Sequence, residues 1–258
     1  MLGAIPYTGN KQNLLNDIIP HFPEYSRFID CFCGGLSVSM NVKGPVVSND
    51  IQTELIQMYE WMKDASYDDL LSLKDELNLT ATNKQAYLDA RELYNKTKRS
   101  DILFLLIQHS FSNMLRYSAG KFNVSFGYRT FTRNTFKRWN NFQSKDIQFE
   151  NKHYEDLEIK NGDFIYCDPP YLITDAAYNA HWSEAEEQKL LSWLDSLHKR
   201  GIKFCVSNVL EHQGKTNEIL TRWSSNYQIV ELSKKYVFNH HHTSNKDMTT
   251  REVLIKNY

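Results

Sequence analysis

Short apolar runs bounded by Gly, Pro, Asn or Asp alternate with longer amphipathic segments along this chain, and that alternation predicts its elements. The earliest run, Arg27-Phe28-Ile29-Asp30-Cys31-Phe32, reads as a strand that ends at Gly34-Gly35 and is followed by helix-compatible residues. A second strand at 45–48 closes on Asn49-Asp50, and 51–63 has helical spacing, so the opening is β-α-β-α. About forty residues of helical character follow, including 68–74, 87–93 and the apolar run 102–107, with no strand signal. Strands resume at 164–167. A helix over 183–199 is announced by Ser183 as N-cap with Glu186 three residues on, the spacing of a capping box. A strand at 202–206, a helix near 215–223, a strand at 228–232 and a last strand at 252–256 complete the count. Such alternation predicts an α/β fold with a mostly parallel sheet covered on both faces. The expected organisation is one catalytic domain, 1–58 with 146–258, split by an inserted lobe over 59–145.

Composition narrows the class. With 258 residues, 41% hydrophobic and 24% charged, the chain has the material for a sizeable core and is neither disordered nor fibrous. No stretch approaches the roughly 18 consecutive apolar residues of a membrane span. The start lacks the charged-then-apolar layout of a signal peptide, so a cytoplasmic protein of a bacterium or phage-infected cell is expected. Cys31, Cys33, Cys167 and Cys205 fall in apolar strand-like runs and suit that compartment as small hydrophobes. Cys31 and Cys33 would face opposite sides of a strand, and the adjacent His240-His241-His242 cannot all face one ion, so no metal is expected.

The net charge of −1 conceals a strong asymmetry. Between Ile102 and Lys145 there is no Asp or Glu, whereas Arg116, Lys121, Arg129, Arg133, Lys137, Arg138 and Lys145 are interleaved with aromatic rings. Basic groups meet phosphates and aromatics stack on bases. Composition alone leaves open a solvated basic surface over an aromatic mini-core.

The candidate chemistry lies at two strand ends. Asp168-Pro169-Pro170-Tyr171 follows an apolar strand directly; the prolines stop the strand and stiffen the turn, holding a carboxylate and a carbonyl where open α/β sheets bind ligands. Acceptors there would pull on the N–H groups of an exocyclic amine and aim its lone pair out of the ring plane, with the Tyr171 ring stacking on the base. By itself the tetrapeptide serves equally as a rigid turn. The second end is Asp30-Cys31-Phe32-Cys33-Gly34-Gly35-Leu36-Ser37, where small residues admit a ligand to the backbone, with Asp50 closing the next strand to meet ribose hydroxyls. It departs from the three spaced glycines of nicotinamide enzymes.

Together these residues resemble the Dam-type family of DNA adenine-N6 methyltransferases over nearly the whole chain. Tyr7-Thr8-Gly9-Asn10-Lys11 is similar to the family's cofactor-side motif, Phe32-Cys33-Gly34-Gly35 to its glycine loop and Asp168-Pro169-Pro170-Tyr171 to its catalytic tetrapeptide, in the family's order. The resemblance implies a class I, Rossmann-like methyltransferase sheet with a helical and β-hairpin DNA-binding lobe. It further implies S-adenosylmethionine as methyl donor, double-stranded DNA as partner, GATC as target, and no obligate protein partner. Asp168, Pro169 and Tyr171 would be catalytic; Tyr7, Lys11, Phe32, Gly34, Gly35, Asp50, Tyr154, Asp156 and Asp168 would bind or shape the cofactor site. In the insert, the segment around Phe111, Ser112, Asn113, Met114 and Arg116 and the segment with Asn123, Ser125 and Arg129 would form the reading hairpin. Arg116 and Arg129 would fork onto guanine and Phe111 would wedge beside the flipped base. Ser125 stands where relatives often carry proline. Tyr178 would cover the adenine from a loop, and Ser207-Asn208 would support the site. None of the cysteines follows a proline, in keeping with direct in-line transfer and no covalent enzyme intermediate. An RNA or free-nucleobase methyltransferase, a non-catalytic methylation sensor and a nicotinamide oxidoreductase are the competing readings.

Overall fold

The computed structural model describes residues 1–174, 182–232 and 250–258. In chain order these form α1 (Leu15–Ile18), β1 (Arg27–Asp30), β2 (Val46–Asn49), α2 (Thr53–Asp64), α3 (Tyr67–Glu76), α4 (Lys84–Thr97) and α5 (Ser100–His109). A small hairpin follows, β3 (Tyr117–Ser118) and β4 (Lys121–Phe122), then α6 (Arg133–Gln143), β5 (Ile147–Glu150) and β6 (Asp163–Cys167). The chain closes with α7 (Glu184–Lys199), β7 (Lys203–His212), β8 (Lys215–Thr216), α8 (Glu218–Ser224), β9 (Gln228–Glu231) and β10 (Thr250–Lys256). It divides into two compact units, 1–15 with 33–154 and 16–32 with 155–258.

In the first unit β2 and β5 pair in parallel, and β5 is a strand the hydrophobic pattern did not announce. Its short Ile147-Gln148-Phe149 alternation directly follows α6. Several aromatics of the acid-free segment face inward: Trp139 is buried edge-on to Phe104 and packs on Tyr67, and beside them Tyr59 stacks on Phe149. Burying such rings at about 25 cal/mol per Å² anchors the long middle helices. The aromatic mini-core therefore exists, and it leaves Arg116, Lys121, Arg129, Arg133 and Lys137 exposed.

The second unit carries the strand order β1-β6-β7-β10-β9, with β8 paired to the end of β7. β1, β6, β7 and β9 run one way; β10 and the short β8 run the other. The architecture is thus mixed α/β with a mostly parallel sheet, as the alternation predicted. The antiparallel insertion of β10 between β7 and β9 was not legible, because pairing direction leaves no trace in an apolar run. Phe28, Phe164 and Tyr166 form the aromatic floor beneath Phe22, and Arg27 grips the buried Asp163 through two nitrogens, at 3.0 and 2.7 Å.

Several boundaries moved. β1 stops at Asp30, so Cys31 and Cys33 lie beyond the strand in a turn, buried and reduced, and the opposite-faces argument does not describe them. After the glycine turn there is only a short 3-10 turn at Ser39–Asn41. Lys215 and Thr216 extend a hairpin off β7, and α8 begins at Glu218 with Asn217 as N-cap. Ser183 caps α7 as expected, accepting from the Glu186 main-chain N–H. Among the described residues no helix is long and apolar enough to cross a membrane.

Candidate active site

The glycine turn is braced within the first unit. Gly34 has φ +43°, a conformation L side chains rarely adopt, and a Cβ there would sit 2.9 Å from the Tyr7 ring. A Cβ on Gly35 would sit 2.5 Å from Tyr7 Cβ. Both glycines are therefore demanded by the close approach of Tyr7. The Gly34 N–H donates to Asp50 Oδ2 at 3.1 Å, its carbonyl accepts from the buried Tyr59 hydroxyl at 2.6 Å, and Cys33 N–H donates to the Asn49 carbonyl at 2.8 Å. Asp50 Oδ1 accepts from Gln52 N–H at 3.0 Å. Burial raises the Asp50 pKa, opposed by the main-chain N–H groups of Gln52, Gly34 and Ile51. A carboxylate oxygen accepts more than one donor, so Asp50 keeps capacity for hydroxyls and the turn fits a nucleoside-type ligand.

Other cofactor-side candidates are unevenly placed. Lys11 is buried, with its main-chain N–H on Ser37 Oγ at 3.0 Å and its ammonium on the Gly9 carbonyl at 3.3 Å. Tyr154 is buried on a 3-10 turn, whereas Asp156, two residues on, is exposed. Phe32 is half-buried, edge-on to Trp182 at 6.0 Å.

In the second unit Asp168 stands immediately after β6. Its Oδ1 accepts from the Tyr171 hydroxyl at 2.9 Å and from Ser207 Oγ–H at 3.0 Å, and Ser207 Oγ lies 2.8 Å from the Tyr166 hydroxyl. The Tyr171 hydroxyl also reaches Glu252 Oε1 at 3.2 Å. Burial first, and then the negative charges of Asp168 and Glu252, hold the Tyr171 phenol well above its ordinary range, so it remains a donor. Glu252 was missed by sequence reasoning, which saw in it only a member of the last strand. It pairs with Val209 across the β7–β10 ladder, beside a register shift between Arg251 and Glu252. Bulges of this kind re-aim side chains next to active sites.

The two lobe segments, around Phe111–Arg116 and Asn123–Arg129, lie against each other. Phe111 N–H donates to the Ser125 carbonyl and Gly127 N–H to the His109 carbonyl, both at 2.8 Å, while Ser110 bridges Phe126. Ser112 and Asn113 both have left-handed backbones. Asn113 accepts from Arg129 at 2.9 Å and donates to the Ile107 carbonyl at 3.0 Å. Arg116 donates to Asn123 Oδ1 at 3.0 Å. Both guanidiniums are thus oriented by asparagines while remaining exposed. Met114 is half-buried and Ser125 exposed. Phe111 is 57% exposed; so is Tyr128, at 70%, an aromatic tip with φ +53° that the motif reading did not single out. Arg138, by contrast, turns inward onto the Gly3 and Ile5 carbonyls. Tyr178 and His240-His241-His242 lie outside the described residues.

A mostly parallel α/β sheet carrying a braced glycine turn and, at another strand end, a proline-stiffened carboxylate has the fold of a class I methyltransferase. Residues 7–238 match the family described as D12 class N6 adenine-specific DNA methyltransferase, and the chain belongs to that family. It is similar to the type II methyltransferase M.FokI of Planomicrobium okeanokoites, 35% identical over 98% of this chain and 42% of that protein. It is similar also to the modification methylase StsI of Streptococcus sanguinis, at 35% over 98% and 42%. With the DNA adenine methylase of Escherichia coli K12 it shares 28% identity over 79% of each chain. The chain thus spans less than half the length of the first two relatives.

Proposed function

We propose that the chain transfers a methyl group from S-adenosylmethionine to the exocyclic amine of an adenine flipped out of duplex DNA. The observation that carries the reading is the Asp168 carboxylate, oriented through Oδ1 by Tyr171 and Ser207 at the end of a parallel strand. S-adenosylmethionine supplies a methyl group on a positively charged sulfur. Asp168 and the Pro169 carbonyl accept from the amine N–H groups, which turns the nitrogen lone pair out of the ring plane and makes it nucleophilic. With its hydroxyl tied to Asp168 and Glu252, the Tyr171 ring is fixed in orientation for stacking. Tyr7, Lys11, Phe32, Gly34, Gly35 and Asp50 would hold the methyl donor; Tyr154 would shape its site, and the exposure of Asp156 makes it the weakest member. Phe111, Ser112, Asn113, Met114, Arg116, Asn123, Ser125 and Arg129 would meet DNA, with 59–145 as the recognition lobe. Arg116 and Arg129, positioned by asparagines, support guanine-bearing targets, and GATC is the first to test.

The test is transfer of labelled methyl groups to duplexes containing GATC or a scrambled site, by wild type and Asp168→Ala. Labelling of GATC adenine that disappears in the variant is expected. Equal labelling of both duplexes would overturn the target, and tight DNA binding without labelling would favour the non-catalytic sensor.

A further inference from the structure

Glu187, in the first turn of α7, is a carboxylate with 0% exposure and only neutral partners. The Trp182 indole N–H donates to its Oε2 at 2.6 Å; the Asn217 amide donates to Oε1 at 2.9 Å, and the Asn208 amide approaches the same oxygen at 3.5 Å. None of these donors can be turned round. An indole N–H only donates. Asn217 uses its Oδ1 to cap α8 at the Leu220 N–H, and Asn208 uses its Oδ1 on the Val209 N–H, so both amides present NH2 to Glu187. Three fixed donors converge on one residue, and only a group that accepts all of them fits. A protonated carboxyl or a glutamine would set a donor against a donor in a buried site. Burial raises the Glu187 pKa and the three hydrogen bonds oppose it.

Such a site is costly to build for packing alone, and what it fixes is Trp182, whose ring stands edge-on at 85° to Phe32. Phe32 immediately precedes the glycine turn. Neighbouring residues of one strand serve both acids: Ser207 of β7 bonds Asp168, and Asn208, pointing to the other face, bonds Glu187. We infer that Glu187 is a positioning residue for the methyl donor, acting through the Trp182 indole to hold the Phe32 ring where the cofactor meets it. This rests on the proposed binding of S-adenosylmethionine at the glycine turn.

Titration calorimetry with S-adenosylmethionine on wild type, Glu187→Gln and Trp182→Phe tests it. Trp182→Phe removes the N–H while keeping a smaller aromatic ring, so it remains informative if Glu187→Gln fails to fold. In each folded variant the Kd for the cofactor is expected to rise about tenfold. The KM for it should rise with kcat retained, and affinity for a duplex should stay within twofold. Unchanged cofactor affinity in folded Trp182→Phe, with wild type binding normally, overturns the inference alone. Absence of binding by wild type overturns the cofactor reading and this inference together.

Discussion

At the scale of single residues the chemistry is a matter of who orients the carboxylate. Asp168 Oδ1 takes two hydroxyl donors, and one of them, Tyr171, shares its proton with a second acid, Glu252. Tyr171→Phe keeps the ring and removes the shared donor; Ser207→Ala removes the other. Each is expected to lower kcat by about tenfold to a hundredfold, the cost of a hydrogen bond to a charged group, with binding of cofactor and duplex unchanged in equilibrium titrations. An effect on affinity with kcat intact would contradict this role. His109 offers a second residue-scale prediction. Its ring is fully buried with Nδ1 2.8 Å from the Leu105 carbonyl, and burial, aided by Lys74, lowers its pKa against the opposing main-chain carbonyls. The folded state keeps the neutral ring, whereas unfolding returns it to its ordinary value of 6.5. The stability it contributes is present above pH 6.5 and is lost as pH falls through the lower folded value. Melting scans from pH 7.5 to 5 should show a steeper decline for wild type than for His109→Leu; parallel curves would refute it. The tetrapeptide and the glycine turn were legible because prolines and glycines mark backbone positions directly. Glu252 and Glu187 were not, since an acid in a strand or in a first helical turn looks solvated until its neighbours are known.

At the scale of elements, the hairpin proposed for recognition is held to the end of α5 by backbone geometry. A Cβ on Gly127 would lie 2.2 Å from the Ser110 carbonyl oxygen, inside any permissible contact. Gly127→Ala is expected to part the Ser110–Phe126 bridge and weaken duplex binding at least tenfold, while the affinity for S-adenosylmethionine stays within twofold; retained duplex affinity would show that the bridge does not set the hairpin. The sequence revealed α2 to α5, α7 and the apolar strands β6 and β7 well, because their periodicity extends over many residues, whereas α6 was not singled out within the basic-aromatic stretch. β5 and β8 escaped because strands of four and two residues carry too few alternations to stand out from loops. The resemblance implied a β-hairpin in the lobe, but the two-residue strands β3 and β4 fall between the segments it pointed to. Their turn, Ala119-Gly120, has the two positive φ values of a tight hairpin, and α4 holds the β4 edge through Asn95, which bonds both the N–H and the carbonyl of Phe122.

At the scale of the whole molecule, a net charge of −1 is compatible with the proposed DNA-binding role because 102–145 carries Lys and Arg with no Asp or Glu. Within 102–145, Arg116 and Arg129 are oriented by asparagines and proposed as base readers, which leaves the exposed Lys121, Arg133 and Lys137 of that segment for phosphates. Three such contacts give a slope of log K against log salt of about −2.7, so a fourfold rise in salt should weaken binding roughly fortyfold. Lys121→Ala should reduce that slope by about one and weaken GATC and scrambled duplexes alike. A slope near zero in anisotropy titrations would remove this lobe as the phosphate-facing surface. The strand order has a consequence for how the protein is made. β10 lies between β7 and β9 and supplies Glu252 to the Tyr171 hydroxyl, yet it follows both of them in the sequence. While the ribosome is still translating, β9 has emerged without its neighbour and the tetrapeptide lacks its second acid. A nascent chain therefore cannot complete this acid pair until residues 250–256 leave the exit tunnel.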